Sequence, residues 1–152
     1  TKAVMFRGQF PHSIDAKGRV AVPSRFREVL AGAGDQRLVV TPALFDKCIH
    51  VFPLRAWEEL EEKISQMKQF DPHVVRFRRL YLSAAVDCEL DKQGRLLVPP
   101  QLREHAAMTK DVLWAGVGNK AELWASEHWE AANRMSDDEL AAFRSQTEGW
   151  VI

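Results

Sequence analysis

A nine-residue block of this chain occurs twice, with five positions identical. Asp15-Ala-Lys-Gly-Arg-Val-Ala-Val-Pro23 returns 76 residues later as Asp91-Lys-Gln-Gly-Arg-Leu-Leu-Val-Pro99, with Asp, Gly, Arg, Val and Pro at matching places. The match extends outward: Ile14 answers Leu90, and Arg27-Glu28 answers Arg103-Glu104. This repeat constrains the fold more than any other feature, because each copy is a small unit whose apolar face and strand edges are covered only by the other copy. One pseudo-twofold domain follows, α+β in class, with interlocked halves and largely antiparallel strands.

The repeated block reads as a turn feeding a strand. Asp15 and Asp91 open it with a carboxylate able to accept backbone N–H groups two residues on. Gly18 and Gly94 stand at the fourth place, where a type I turn is closed by a residue of positive φ. Arg19 and Arg95 therefore leave the turn at a fixed place and in a fixed direction. A short strand follows, and the proline after it ends the strand and opens a helix.

Around these blocks the pattern predicts strands at residues 5–10, 20–22, 38–41 and 48–52, and a short helix over 24–30 with Gly32 as its C-terminal stop. Trp57, Leu60, Ile64 and Met67 recur at helical spacing. They predict an amphipathic helix over 55–67 whose solvated face carries Glu58, Glu59, Glu61 and Glu62. Asp71-Pro72 is a cap followed by a first-turn proline, and predicts a helix over 73–82 that links the copies. The second copy repeats the order, with strands at 85–90, 95–98, 112–117 and 121–124 and a helix over 101–107. Trp129 answers Trp57 at an offset of 72 rather than 76, so four residues are missing between the helix and the later strands. Ser136-Asp-Asp-Glu139 has the form of a capping box and predicts a final helix. The expected organisation is a first repeat at 5–70, a linking helix at 71–83, a second repeat at 84–130, and a C-terminal helix and tail at 131–152.

Residue content excludes several classes of function. An apolar share of 46% and a charged share of 28% are those of a globular chain. No apolar run reaches the roughly 20 residues that span a bilayer. Arg7 and Gly8 interrupt the only apolar stretch near the start, so no signal peptide is expected and a cytoplasmic location is. Cys48 and Cys88 lie in separate copies without C-x-x-C spacing and read as small buried hydrophobes, and the histidines show no H-x-x-x-H pair. There is no G-x-S-x-G, H-E-x-x-H or Walker sequence, and the G-x-G at Gly32 lacks a third glycine and a preceding strand. Neither catalytic residues nor a metal or cofactor are expected.

Net charge is zero, which argues against a general nucleic-acid coat, but the charge is unevenly placed. Residues 1–30 carry Lys2, Arg7, Lys17, Arg19, Arg25 and Arg27 against Asp15 and Glu28, a net +4. The equivalent window, 77–106, nets +1, and residues 121–152 net −5. A basic end and an acidic end point to one face for polyanions and another turned away. Lys17 at the turn tip and Arg19 just after it reach out from a rigid hairpin, with Arg7, Arg25 and Arg27 nearby. Arginine contacts phosphates or reads guanine O6 and N7 with two donors. Arg19 also has the bland role of pairing with Asp15 across its turn, as Arg95 has with Asp91. The two roles are compatible, since an aspartate-held arginine is also a pre-oriented one. Lys17 becomes Gln93 in the second copy, which predicts unequal roles for the copies.

Met5-Phe-Arg-Gly8, the two D-x-x-G-R-x-x-V-P blocks and the Leu123-Trp124…Trp129 ending, in this order, resemble the MraZ family, bacterial regulators with two tandem AbrB-type modules. The resemblance runs from about residue 5 to residue 129. Because the family's start matches Met5, residues 1–4 read as a tag remnant or an upstream start. The resemblance implies a fold like that of AbrB and MazE, a swapped-hairpin β-barrel with flanking helices, here fused into one chain. It implies that the motif arginine contacts double-stranded DNA, which falls on Arg19 first and Arg95 second. It further implies a closed, octamer-like homo-oligomeric ring associated with the nucleoid, binding short direct repeats upstream of its own operon, the division and cell-wall gene cluster. Two related but unequal halves suit such a head-to-tail interface, and linked modules on repeated sites raise avidity roughly 10²–10⁴-fold. The competing expectation is an oligomeric interaction scaffold or antitoxin-like partner whose turns are purely structural.

Overall fold

The computed structural model describes residues 5–151, so the residues before Met5, with the question of their origin, lie outside the described residues. Each repeated block turns one strand back on the next. β1 (Phe6–Ser13) leads through the first turn to β2 (Arg19–Ala21), followed by α1 (Ser24–Gly32), β3 (Leu38–Pro42), β4 (Cys48–Pro53) and α2 (Leu54–Ser65). The link is α3 (Pro72–Phe77), continued by a π-helical turn at Arg78–Leu82. The second copy gives β5 (Val86–Cys88), β6 (Arg95–Leu97), α4 (Pro100–His105), β7 (Asp111–Gly118), β8 (Ala121–Ala125) and α5 (Ser126–Asn133). A further helix, α6 (Asp137–Thr147), follows.

The copies interlock strand by strand. One six-stranded antiparallel sheet runs in the order β1-β7-β8-β4-β3-β5, and β2 pairs with β6 in a separate two-stranded ribbon. β1, β4 and β2 of the first copy thus hydrogen-bond to β7, β8 and β6 of the second. Val20 pairs with Leu96, its own repeat equivalent at offset 76, and His50 pairs with Glu122, its equivalent at offset 72. A pseudo-twofold axis therefore passes through both pairs.

The α+β class and the interlocked halves are as the repeat predicts. The barrel is not closed: among the described residues the sheet ends in two free edges, β1 and β5. β5 has only three residues and pairs with β3 alone among the described residues. The β2–β6 ribbon instead lies over one face of the sheet, with an isolated bridge between Ile14, just past the end of β1, and Val20.

Burial explains this arrangement. Val20, Leu96, Val22 and Val98 from the ribbon meet Val40, Ile49, Val51, Leu123 and Trp114 of the sheet in one core. Each such side chain contributes about 1.5–3 kcal/mol when removed from water. Phe26 of α1 packs edge-to-face on Phe6, Phe10 and Trp114, with ring centroids 5.2, 5.3 and 6.1 Å away. On the sheet's other face Phe52, Trp57 and Tyr81 form a second cluster with Val39 under α2.

Local signals were largely obeyed. Asp71 caps α3 by accepting from His73 N at 2.8 Å. Ser136 and Glu139 form the reciprocal capping box of α6. Several boundaries differ: β1 runs on to Ser13, β5 keeps only Val86–Cys88 of the strand expected over 85–90, and the linking helix turns π-helical from Arg78. Gly32 lies inside α1, and Gly34, at φ +75°, takes the turn after it. α2 stops at Ser65, so Met67 falls past its end and is half exposed.

Candidate nucleic-acid interface

The two turns are built alike. Oδ1 of Asp15 accepts Lys17 N and Arg19 N, each at 2.9 Å, and Oδ2 accepts Arg19 Nε at 2.8 Å. Asp91 repeats this set with Gln93 N, Arg95 N and Arg95 Nε at 2.9, 2.9 and 2.8 Å. Gly18 and Gly94 close the turns at φ +91° and +73°, a region that side-chain-bearing residues avoid. The Arg19 amide and guanidinium, with the Lys17 amide, hold the Asp15 carboxyl down at about 2. Arg95 and Gln93 lower Asp91 in the same way.

Register decides where the arginines point relative to the core. In the β2–β6 ribbon Arg19 pairs with Leu97, Val20 with Leu96 and Ala21 with Arg95. Alternation sends the buried Val20 and Leu96 inward, so Arg19 and Arg95 share the outward face, on a diagonal of roughly 7–8 Å. Both side chains remain about one-third exposed, at 36% and 31%. Only Nε of each is bonded to protein among the described residues, which leaves the two terminal amino groups to other partners. Lys17 is exposed at the first turn's tip; Gln93 takes its place in the second.

The other basic residues named from sequence separate. Arg25 is exposed in the first turn of α1. Arg7 is exposed on β1, opposite Val117, eight residues up the strand from Asp15 and so roughly 25 Å from the turn. Arg27 folds back to donate Nε to Val22 O at 3.1 Å and lies against Gly94 of the other copy's turn. Arg103, not named as a site residue from sequence, is its counterpart: it donates Nε to Val98 O at 3.1 Å and lies against Gly18. The signal was present in the repeat, since Arg27 answers Arg103. Sequence reading also missed Cys48, His50 and Glu122, which β4 and β8 bring together. The offset of 72 puts His50 and Glu122 at one repeat position, but nothing local marks the three as a group.

No helix among the described residues is long and apolar enough to cross a membrane.

Comparison with known proteins agrees with this architecture. Residues 5–80 and 81–147 each match the family model described as "MraZ protein, putative antitoxin-like". A transcriptional regulator MraZ of Natranaerobius thermophilus is 48% identical over 126 residues, covering 83% of this chain and 85% of that protein. The protein of the same name from Caldanaerobacter subterraneus is 42% identical over 133 residues, covering 88% and 90%. That from Desulforamulus reducens is 41% identical over 147 residues, covering 97% and 98%. With both halves matched in order and nearly the full length aligned at these identities, the chain belongs to the MraZ family.

Proposed function

We propose that this chain is a sequence-specific DNA-binding transcriptional regulator and not an enzyme. The observation that carries this is the outward face of the β2–β6 ribbon, where Arg19 and Arg95 are each fixed through Nε by an aspartate and keep their amino groups available. A two-stranded ribbon fits the major groove of B-DNA, and a positioned arginine reads guanine there. The name shared by the relatives, transcriptional regulator, supports the same function. Arg19 and Lys17 form the main reading head, with Arg95 beside Gln93 as a weaker second contact. Arg25 and Arg7 supply phosphate contacts farther out. Arg27 acts mainly by supporting the second turn, with its remaining donors turned to the same polyanion. One such head gives few contacts, so a closed, octamer-like ring engaging short direct repeats in its own promoter, ahead of the division and cell-wall gene cluster, supplies the affinity through avidity. Such a protein works in the cytoplasm, at the nucleoid.

The test is a titration of wild type, Arg19→Ala and Arg95→Ala against native upstream DNA and a scrambled control at two salt concentrations. Tight binding to the native sequence that weakens with salt is expected, nearly abolished by Arg19→Ala and reduced less by Arg95→Ala. The second reading, an antitoxin-like scaffold, is favoured by the aspartate clamp, which partly neutralises each arginine. A scaffold shows no sequence preference and no counterion-release slope, so that outcome selects it.

A further inference from the structure

Three side chains of types that can ligate a metal meet on the sheet face opposite the arginine ribbon. Cys48, His50 and Glu122 each bring one donor atom, and these atoms lie within 4.8 Å of one another. Strand geometry puts them there. Cys48 and His50 are two apart on β4 and share a face, and His50 is directly paired with Glu122 on β8. Cys48 is fully buried, while the His50 and Glu122 side chains are only 14% and 16% exposed.

The atoms not facing the cluster are already held. His50 Nδ1 lies 2.6 Å from the Tyr81 hydroxyl, and Glu122 Oε1 accepts Trp124 Nε1 at 2.9 Å. His50 Nε2 and Glu122 Oε2 are left facing each other at 3.4 Å, a long contact for a hydrogen bond. A histidine oriented through its second nitrogen and a carboxylate oriented through its second oxygen are the supports that metal ligands characteristically have. Lys120 is the nearby cation that opposes an ion here. It sits 5.7 Å from the Phe52 ring centroid and, among the described residues, makes no ion pair with Glu122.

We propose that Cys48 Sγ, His50 Nε2 and Glu122 Oε2 bind a divalent transition metal of the zinc class, with a water or external ligand in the fourth place. One thiolate, one imidazole and one carboxylate suit tetrahedral zinc, and such a soft–borderline set disfavours magnesium and calcium. His50 then carries its proton on Nδ1 and donates it to the Tyr81 oxygen. His50, of the three, also lines an open cavity of about 280 Å³ with Phe52, Tyr81 and Lys120. β4 belongs to the first copy and β8 to the second, so the ion clamps the two copies together on their pseudo-twofold axis.

The test uses the full chain after dialysis against a chelator, titrated with Zn²⁺ by calorimetry and with Co²⁺ by absorption. One ion per chain is expected, with a thiolate-to-cobalt charge-transfer band and the intense visible bands of four-coordinate Co²⁺. Cys48→Ser removes the charge-transfer band. Glu122→Gln, with its fold checked by circular dichroism, weakens affinity at least about tenfold, and Tyr81→Phe, acting only through His50, weakens it by about tenfold. Zn²⁺ raises the melting temperature of wild type more than that of Glu122→Gln. The absence of saturable uptake, or uptake unchanged in both Cys48→Ser and folded Glu122→Gln, overturns the site and leaves a plain His50–Glu122 contact beside a buried thiol.

Discussion

A single aspartate carboxylate braces each turn beside its backbone hydrogen bonds, and protonation weakens that brace. The Asp15 carboxyl sits at about 2 in the folded chain against an ordinary 3.8. Because the folded value is depressed, the stabilisation is fully present above the ordinary value and is lost as pH falls from 3.8 toward about 2. Asp15→Asn keeps an acceptor but removes the titration, and is expected to flatten that part of an acid-unfolding curve followed by circular dichroism. The two glycines differ in their neighbours. A Cβ on Gly18 would lie 2.8 Å from the backbone oxygen of Val98, whereas on Gly94 it would first meet Arg27 Cδ at 2.9 Å, a side chain able to move. Gly18→Ala is therefore expected to cost roughly 1–3 kcal/mol, with Gly94→Ala costing less, as read from urea midpoints.

At the level of elements, alternation in the ribbon sorts adjacent residues into core and surface. Leu96 is fully buried and Leu97 is 58% exposed. Leu96→Ala should lose about 2–5 kcal/mol through the cavity it leaves, while Leu97→Ala stays within about 0.5 kcal/mol; chemical denaturation of both variants checks the contrast. α6 has a different support. Its Leu140 and Phe143 are half exposed, so little packing holds it and the Ser136 cap matters more. Ser136→Ala is expected to destabilise the helix by about 1 kcal/mol, seen as reduced helical ellipticity with the main unfolding transition little moved.

For the whole molecule, the exchange of strands between copies makes neither copy a complete unit. Without the second copy β1 loses β7, β4 loses β8 and the ribbon loses β6, leaving unpaired edges and an uncovered core. Residues 5–83 alone are expected to lack a cooperative urea transition, and mixing them with residues 84–151 to restore one. The arginine pair and the Cys48–His50–Glu122 cluster lie toward opposite ends of the same pseudo-axis, separated by the core. The first depends on the ribbon and the second on the β4–β8 pairing, yet both exist only when the copies are joined.

What the residues determine by themselves is whatever depends on near neighbours along the chain. The Asp15 and Asp91 turns, the Asp71 and Ser136 caps and the amphipathic α2 all rest on contacts within about one helical turn or hairpin. Spacing alone was therefore enough to read them. The repeat also made interlocking halves legible, since a lone copy cannot cover its apolar face. Tertiary packing decided the remainder. The open sheet in place of a barrel is one such outcome: β1 and β5 end it, and β5 spans three residues where the pattern predicts a strand over 85–90. Arg27 and Arg103 were laid against the other copy's glycines, and Arg7 was carried to the far end of β1. The cluster at His50 arose because the β4–β8 register matched one residue with its own repeat equivalent. A one-residue slip would turn every side chain of a strand to the other face, and that register is set by the burial of the whole core.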